Sequence, residues 1–350
     1  MTGTIHRTLI VRFSSVGDIV LSSLLVRVLR KRFPHAQIDY LVRSRYAELL
    51  RNNPFLSSII EFPERGTFRD LRRLRQQIHT GGYDVIVDIH DSVRSRYLCF
   101  GSRTVVRLNK RKVARFVLIR FKRDMYAHFG GAPSVAQRYV ETVERFGVTD
   151  DGEGTELYLP PGTPERVAMV LGEAAVTGTG IVVGISPSAR HYTKIWPKER
   201  YAETALALIR LHGTRVLLFG STEDAGCCRE IRDLVLKANP RAIIVDLAGR
   251  LSLTETAAAM DACAVVITND SGLMHIAAAR KRRVVAVFGS TVRQLGFFPP
   301  GDTSVVVERL GLRCRPCTHI GLSACPEGHF KCMIEIDAAT VIAAVERSLF

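Results

Sequence analysis

The chain has 350 residues, of which 47% are hydrophobic and 24% are charged, a balance typical of globular proteins and not of disordered ones. This length suggests about two domains, since a domain commonly holds roughly 100–200 residues. No apolar run reaches the ~18–20 residues of a spanning helix, and the N-terminus has no signal-peptide core. We therefore expect a cytoplasmic protein, and neither a secreted scaffold nor an integral membrane protein.

The net charge of +15 is concentrated in the first part of the chain. Residues 1–150 contain 27 Lys and Arg against 13 Asp and Glu, whereas residues 151–350 contain 22 against 21. A one-sided positive field attracts nucleic acid, anionic lipid or a phosphorylated substrate. The alternative is a generally basic solvated surface, but such a surface would not concentrate its excess charge in one half of the chain.

Short apolar segments alternate with amphipathic ones in the first half of the chain. Strands are predicted at Thr8–Phe13, Ile38–Val42 and Tyr83–Ile89. Apolar residues at helical spacing between Leu21 and Leu29 predict a helix that stops before Pro34. Strands that alternate with helices predict a parallel sheet covered on both faces.

The segment from Leu157 to Pro164 contains three prolines and a glycine, and it is the predicted linker. The alternation then resumes and predicts a second α/β domain of similar size. Its predicted strands are Ile181–Ile185, Arg215–Phe219, Ala242–Asp246, Ala264–Thr268 and Val284–Phe288. Helices are predicted at Pro197–His212 and Asp337–Leu349. Because open parallel sheets bind ligands beyond the carboxyl ends of their strands, the residues that follow strands are the site candidates.

The segment Ser14–Asp18 follows the first predicted strand and opens the first helix. It has one glycine, so it is neither a Gly-x-Gly-x-x-Gly dinucleotide fingerprint nor a phosphate-binding Gly-x-x-x-x-Gly-Lys-Ser/Thr loop. A carboxylate at this corner either caps the helix start or acts as general base towards a substrate hydroxyl. The segment alone leaves both interpretations of Asp18 open.

Two polar segments follow strands in the second half. Thr268–His275 opens a predicted short helix, and free N–H groups at a helix start form an anion site. Asp270 can also accept a hydrogen bond from a sugar hydroxyl, whereas His275 is either a core histidine or a ligand contact. In Ser188–Pro197, Lys194 shortly precedes the only Trp of the chain. This lysine is either solvated beside a packed Trp or faces a diphosphate.

Together these segments resemble glycosyltransferase family 9, the ADP-heptose:lipopolysaccharide heptosyltransferases, over nearly the whole chain. Each motif is weak alone, and their order and spacing make them strong together. The matching motifs are Phe13-Ser-Ser-Val-Gly-Asp18, Lys194-Ile-Trp-Pro-Lys-Glu-Arg-Tyr-Ala-Glu203, Asn269-Asp-Ser-Gly-Leu-Met-His-Ile-Ala-Ala278 and Phe288-Gly-Ser-Thr291. The Cys-x-Pro-Cys tail of many members is matched from Cys314 to Met333.

The resemblance implies an α/β protein of GT-B architecture, in which two Rossmann-like domains with parallel sheets face a central cleft. Residues 1–161 would form a strongly basic acceptor-binding domain, and residues 162–350 the nucleotide-sugar-binding domain. The implied reaction is inverting transfer of a heptose from ADP-heptose to the inner core of lipopolysaccharide, on Kdo-lipid A or a heptosyl acceptor. A member of the family with another donor sugar or acceptor is the alternative.

By the same resemblance, Asp18 is the catalytic base and Lys194 stabilises the diphosphate of the leaving group, without a metal ion. The implied donor-binding residues are Ala189, Arg190, Glu223, Asp224, Asp270, Ser271, Gly272 and His275. The implied acceptor-binding residues are Ser15, Gly17, Arg69, Arg72, Arg73 and His90. Family members have small or hydroxyl residues near position 190, so Arg190 is a departure that we expect to act as a second phosphate clamp.

Residues 103–123 carry nine Lys or Arg and no acidic residue. Interspersed apolar residues make the segment weakly amphipathic, which predicts contact with a membrane surface or anionic lipid. Charged helix faces in water are the alternative. The partners that the resemblance implies are a nucleotide-sugar donor and an anionic lipid-linked saccharide acceptor. With this segment, we also expect peripheral association with the inner face of the cytoplasmic membrane, and no nucleic acid.

Four of the eight cysteines cluster, at Cys314, Cys317, Cys325 and Cys332. This spacing is compatible with a structural zinc ion, but a second Cys-x-x-Cys pair is missing, so free thiols are favoured. No cofactor is therefore expected beyond the ADP-sugar donor. Disulfides are not expected in a reducing cytoplasm.

Two other function classes are weaker. A nucleic-acid-binding protein would use the basic half as its footprint, but no reading module is recognisable and the Asp18 and Lys194 motifs would remain unexplained. A nicotinamide oxidoreductase would need the missing dinucleotide fingerprint.

Overall fold

A computed structural model describes residues 5–129, 131–172 and 180–349 of the protein. The chain divides into two compact units, residues 1–112 with 133–158 and residues 113–132 with 159–350. The predicted boundary after residue 161 differs from this division in two ways. The first unit ends at residue 158, and residues 113–132, predicted in the first domain, belong to the second unit. The reason is local packing that the sequence pattern does not contain, since Ala114 and Leu118 are buried with Tyr126 and Leu295.

The first unit is built on five parallel strands in the order β3-β2-β1-β4-β5. The strands are β1 (Arg7–Val11), β2 (Gln37–Arg43), β3 (Ser58–Phe62), β4 (Val85–Asp88) and β5 (Val105–Arg107). The helices are α1 (Val16–Leu21), α2 (Ser23–Arg32), α3 (Phe68–Thr80), α4 (Val93–Cys99), α5 (Lys112–Phe121), which passes into the second unit, and α6 (Val135–Glu141).

The central strands of this sheet are buried on both faces, as a continuous apolar run predicts. Leu9, Ile10 and Val11 have no exposed surface. The three strands predicted in this half are confirmed to within two residues at each end. The two edge strands were not predicted, because β5 has only three residues and β3 carries a buried residue only at its end.

The second unit has six parallel strands in the order β11-β10-β9-β6-β7-β8. The strands are β6 (Val182–Ser186), β7 (Arg215–Leu218), β8 (Ile244–Asp246), β9 (Val265–Asn269), β10 (Arg283–Phe288) and β11 (Ser304–Glu308). The helices are α7 (Thr163–Leu171), α8 (Lys198–His212), α9 (Ala225–Ala238), α10 (Leu253–Asp261), α11 (Gly272–Ala279), α12 (Lys331–Ile334) and α13 (Ala338–Leu349).

The core of the second unit lies between its sheet and the helices that pack on one face of that sheet. Trp196, Tyr201 and Met333 are fully buried in it, together with the apolar face of α13. The five strands and two helices predicted here are confirmed, and β11 is the one strand of this sheet that was not predicted. None of the helices among the described residues combines the length and apolarity needed to cross a membrane.

Candidate active site

The carboxylate of Asp18 is held by several partners within the first unit. It lies in the first turn of α1, directly after β1, with a side chain that is 16% exposed. The Ser15 hydroxyl and backbone N–H donate to Oδ2 at 2.9 and 3.2 Å, and an Arg12 guanidinium nitrogen lies 2.5 Å from the same oxygen. The Tyr139 hydroxyl donates to Oδ1 at 2.9 Å. Asp18 therefore does cap the helix start, and it is also the centre of a charged network that a cap does not require.

This network keeps Asp18 ionised. Burial alone would raise its pKa, but the charge of Arg12 and the hydrogen bonds from Ser15 and Tyr139 outweigh burial and hold the pKa below its usual value. Burial keeps the pKa of Tyr139 well above its usual value, so this hydroxyl stays a proton donor. Among the described residues, Oδ1 accepts one hydrogen bond, from Tyr139, and keeps a second lone pair.

Arg12 is fixed at the carboxyl end of β1 by more than its ion pair. Its Nε donates to the Ser14 carbonyl at 2.6 Å, and another nitrogen donates to the Ile89 carbonyl at 2.7 Å. Sequence analysis missed Arg12 and Tyr139. A charged residue that follows an apolar strand and precedes a candidate base was an available signal for Arg12. Tyr139 is 121 residues away from Asp18, and its segment carries no signal for this contact.

His90 lies after β4, the strand next to β1, and lines an apolar cavity of about 530 Å³. The other lining residues come from α3, α4 and the turn before α4, namely Phe68, Leu71, Ser92, Val93, Arg94 and Tyr97. The His90 ring packs edge-on against Phe13, 5.3 Å between centroids. Burial, with the nearby charges of Arg12 and Lys110, lowers the pKa of His90 to about 4. His90 is therefore neutral at neutral pH.

This low pKa has a measurable effect on stability. Between pH 6.5 and about 4, the unfolded chain binds a proton at His90 that the folded chain does not bind, so the unfolding free energy falls as the pH is lowered. We expect His90 to account for a loss of about 2 kcal/mol between pH 7 and pH 5. Urea unfolding of the wild type and of His90→Gln at both pH values measures this contribution. An identical pH dependence in the two proteins would contradict the assignment.

The predicted acceptor-binding arginines lie on the exposed side of α3. Arg69, Arg72 and Arg73 are exposed, whereas the buried side of this helix is formed by Leu74 and Ile78. Phe68, which begins the same helix, lines the same cavity as His90. Gly17 is buried in the first turn of α1, and Ser15 uses its hydroxyl on Asp18. The structure thus places Ser15 and Gly17 at the candidate base, His90 at the cavity, and the three arginines on the helix beside that cavity.

Some basic side chains of the first unit form ion pairs with acidic side chains of the same unit. Arg27 is only 2% exposed and pairs with Asp151 at 2.7 Å and with Glu156 at 2.9 Å. Arg111 pairs with Glu141 at 3.0 Å. The excess charge of the sequence is therefore an upper bound on the charge that faces a ligand.

In the second unit, the loops that follow β6, β9 and β10 bring together Lys194, Asp270 and Thr291. These three strands are neighbours in the sheet. The Lys194 ammonium lies 2.7 Å from Asp270 Oδ2, and the Thr291 hydroxyl donates to the same oxygen at 2.7 Å. The lysine and aspartate side chains are 12% and 4% exposed. Among the described residues, no second hydrogen-bond partner of the ammonium is found. Two of its N–H groups thus remain for an anion.

The loop that carries Lys194 is fixed at both ends by Asn269. Its side chain donates to the Pro187 carbonyl at 2.7 Å and accepts from the Trp196 N–H at 3.1 Å. The Trp196 indole N–H donates to the Ile336 carbonyl at 3.0 Å. Gly289 allows the next loop to approach closely, since a Cβ there would lie 2.9 Å from the Thr193 carbonyl oxygen. These contacts fix the loop between a strand and a helix, and they hold Lys194 in place within it.

The other predicted donor-binding residues of these two loops differ in burial and position. Ser271 precedes α11 and Gly272 begins it, so their backbone N–H groups lie at a helix start. His275 is 5% exposed on the same helix, with its ring 6.3 Å from that of Phe297. Ala189 is half-buried and Arg190 is exposed in the loop before Lys194.

Two of the predicted donor-binding residues, Glu223 and Asp224, follow β7. Asp224 accepts from the Ser221 backbone N–H at 2.8 Å and from its hydroxyl at 2.7 Å, so it caps the turn that precedes α9. Glu223 is exposed, and its carboxylate lies 3.5 Å from the Ser221 hydroxyl. Of the two, Glu223 is the carboxylate with more freedom to meet a ligand.

None of the four clustered cysteines forms a disulfide bond, and Cys332 is buried. Cys314 Sγ lies 3.9 Å from His329 Nε2, and the Cys317 thiol donates to the Cys314 carbonyl at 3.4 Å. Within the part of the chain that the structure describes, no three His, Cys, Asp or Glu side chains are arranged to hold a metal ion.

The comparison with known proteins decides the family. Residues 71–326 match the family model described as Glycosyltransferase family 9 (heptosyltransferase). The chain belongs to glycosyltransferase family 9. It is therefore a glycosyltransferase, and the predicted resemblance is confirmed.

Individual relatives agree with this assignment. The lipooligosaccharide heptosyltransferase 2 of Haemophilus influenzae is 32% identical to this family 9 chain over 316 residues, which cover 86% of the chain and 88% of the relative. The family 9 glycosyl transferase of Veillonella parvula has a crystal structure with a TM-score of 0.81 at 23% identity, covering 98% of this chain and 97% of that one. The structure of Escherichia coli ADP-heptose lps heptosyltransferase II has a TM-score of 0.73 at 25% identity, and 98% of each chain is covered. The predicted GT-B fold, with its two Rossmann-like α/β units, is thereby confirmed.

Proposed function

We propose that this family 9 glycosyltransferase moves a heptose from ADP-heptose to the inner core of lipopolysaccharide. The donor assignment is supported by relatives named lipooligosaccharide and lipopolysaccharide heptosyltransferase 2, which match most of the chain. The main observation that supports glycosyl transfer is the ionised Asp18 carboxylate, which Arg12 and Tyr139 hold at the start of α1. We further propose that the enzyme associates peripherally with the inner face of the cytoplasmic membrane, where a lipid-linked acceptor is found.

The proposed chemistry on the acceptor side is proton removal by Asp18. The acceptor hydroxyl oxygen forms a bond to the anomeric carbon of the heptose, and its proton passes to Oδ1, which keeps a free lone pair. A carboxylate with a lowered pKa is a weak base, so proton transfer accompanies attack, when the attacking oxygen has become strongly acidic. The apolar cavity beside His90 and the exposed arginines of α3 would hold the anionic, partly apolar acceptor.

On the donor side, the bond between the anomeric carbon and the diphosphate oxygen breaks and ADP leaves. Attack opposite this leaving group inverts the configuration. Lys194, held by Asp270, would stabilise the negative charge that develops on the diphosphate, helped by the N–H groups at the start of α11. These cationic and dipolar groups can supply the stabilisation that a metal ion supplies elsewhere, so we propose a metal-independent transferase with no cofactor besides its donor.

A calorimetric titration with ADP, UDP, GDP and NAD in the presence of EDTA tests the donor. We expect ADP to bind and the other three to bind at least about tenfold more weakly, since nucleotide discrimination depends on a few pocket contacts. Transfer assays with ADP-heptose would then compare Kdo-lipid A with a heptosyl-bearing acceptor. Preferential binding of UDP or GDP would overturn the heptose assignment and leave the family standing. ADP binding only without EDTA would overturn metal independence.

A further inference from the structure

Helix α5 presents an exposed face on which apolar and basic side chains are mixed. At 100° per residue, Lys112, Val113, Phe116 and Arg120 fall within one arc of about 100°. Val113, Phe116 and Phe121 are 70%, 60% and 58% exposed. The opposite side of the helix is anchored, because Ala114 and Leu118 are buried. We call the exposed residues at this position the α5 face, formed by Lys112, Val113, Phe116, Arg120, Phe121 and Arg123.

The aromatic part of the α5 face is contiguous. The rings of Phe116 and Phe121 lie 6.1 Å apart in an edge-on arrangement, and the Arg120 guanidinium lies 5.7 Å from the Phe121 ring. Water solvates two adjacent phenyl rings poorly, and at the surface of a soluble protein an apolar patch rimmed by charge marks a contact surface.

The charges of the α5 face are available to a ligand. Several basic residues nearby have partners within the protein, since Lys110 and Lys122 donate to backbone carbonyls and Arg111 pairs with Glu141. By contrast, Lys112, Arg120 and Arg123 are exposed, and no carboxylate of the described residues lies within ion-pair distance of them. The nearest acidic neighbour in sequence is Asp124, which is bonded by Gln294 and the Tyr126 backbone N–H.

We propose that the α5 face docks on an anionic lipid bilayer. Phenyl and valine side chains that are surrounded by cations fit the boundary between acyl chains and acidic headgroups, where the rings are buried and the cations remain solvated near phosphate. A nucleic-acid backbone would match the charge but would not bury Val113 and Phe116. This inference deepens the peripheral association contained in the proposed function, since a lipid-linked acceptor gives the contact its purpose, but lipid binding itself requires neither donor nor acceptor.

Vesicle co-sedimentation of the full chain tests the proposal directly. Vesicles of pure phosphatidylcholine are compared with vesicles containing phosphatidylglycerol, without nucleotide or acceptor. We expect binding to the anionic vesicles that is lost at high salt, and a partition coefficient about a hundredfold lower for Lys112→Gln/Arg120→Gln/Arg123→Gln, since each basic residue contributes about fivefold near an anionic surface. Phe116→Ser/Phe121→Ser should lower it about tenfold.

Matched controls remove the same kinds of groups from exposed positions outside the α5 face. Arg229→Gln/Arg241→Gln/Arg347→Gln removes three exposed arginines and so the same net charge. Met169→Ser/Leu211→Ser removes two apolar side chains that are 75% and 63% exposed. Both control variants should bind anionic vesicles within about twofold of the wild type, because single charges and apolar groups scattered over a surface do not form an interfacial face. Far-ultraviolet circular dichroism verifies that all four variants are folded.

Each outcome decides the proposal. Wild-type protein that does not bind anionic vesicles, or α5-face variants that bind as well as their controls, would overturn it. A dimer that dissociates, or an RNA complex that is lost, in the α5-face variants without a change in vesicle binding would replace the bilayer by that partner. Transfer to a water-soluble, acyl-free acceptor should be unchanged in the α5-face variants. Absence of this transfer in the wild type would count against the proposed function and leave the vesicle result standing.

Discussion

Replacing Asp18 by Asn should lower turnover by roughly 10²–10⁴ while ADP binding persists, because the acceptor hydroxyl loses its proposed proton acceptor and the proposed donor-binding residues lie in the other unit. The amide side chain of this variant keeps the shape of the carboxylate but not its charge. Steady-state transfer to a saturating acceptor measures the loss, and calorimetry with ADP measures the retained binding.

This substitution also leaves the Arg12 guanidinium, whose side chain is 11% exposed, without its counter-ion, so the folded state would be destabilised by at most about 3–5 kcal/mol, the scale for a fully buried pair. The double variant Arg12→Met/Asp18→Asn removes both charges and should regain most of that stability while remaining inactive. If turnover in Asp18→Asn stayed near the wild-type value, capping would be the only role of Asp18. If the double variant recovered activity together with stability, loss of folding and not loss of the base would explain the effect.

Replacing Lys194 by Ala should lower turnover by roughly 10²–10³, the scale for loss of one group that stabilises developing charge. The ammonium is held 2.7 Å from Asp270 and has two N–H groups left for the diphosphate. We expect the decrease to fall mainly on kcat, since the charge on the leaving group grows between the ground state and the transition state. Rates at saturating donor, with ADP titration in parallel, separate kcat from binding.

Lys198→Ala is the matched control for this variant. Lys198 begins α8, four residues further along, and its ammonium pairs with Glu230 at the surface. Its removal should leave turnover within about twofold, because an exposed ion pair contributes little. Asp270→Asn should reproduce part of the Lys194 effect, since the lysine loses its anchor. Equal activities of Lys194→Ala and Lys198→Ala would refute the charge-stabilising role.

Much of the candidate site was predictable because its residues stand in local patterns. Asp18 follows an apolar strand and opens a helix, and Lys194 lies two residues before a Trp and a helix-starting Pro. Asp270 and Gly272 stand at the next strand-to-helix corner. In a parallel sheet these corners all lie at the carboxyl edge, so their grouping within a unit follows from the strand order.

The partners of these residues were not predictable in the same way. Tyr139 reaches Asp18 from α6, and Thr291 reaches Asp270 from the loop after β10. Both contacts join segments that are distant in sequence, and neither segment has a pattern that specifies its partner. By contrast, the contact of Asp224, a predicted donor-binding residue, is local, because it caps its own turn by accepting hydrogen bonds from Ser221.

The sequence by itself determined the class of fold, the division into two α/β units, the family and the residues at the carboxyl ends of the strands. These features depend on periodicity, on breaker residues and on short motifs, all of which act over a few residues. Only the tertiary structure decided that Asp18 is both a cap and an ionised carboxylate, that Lys194 is held by Asp270, and that residues 113–132 belong with the second unit. Protonation state, side-chain orientation and the packing partner of a helix depend on groups that are close in space and far apart along the chain, so packing alone specifies them.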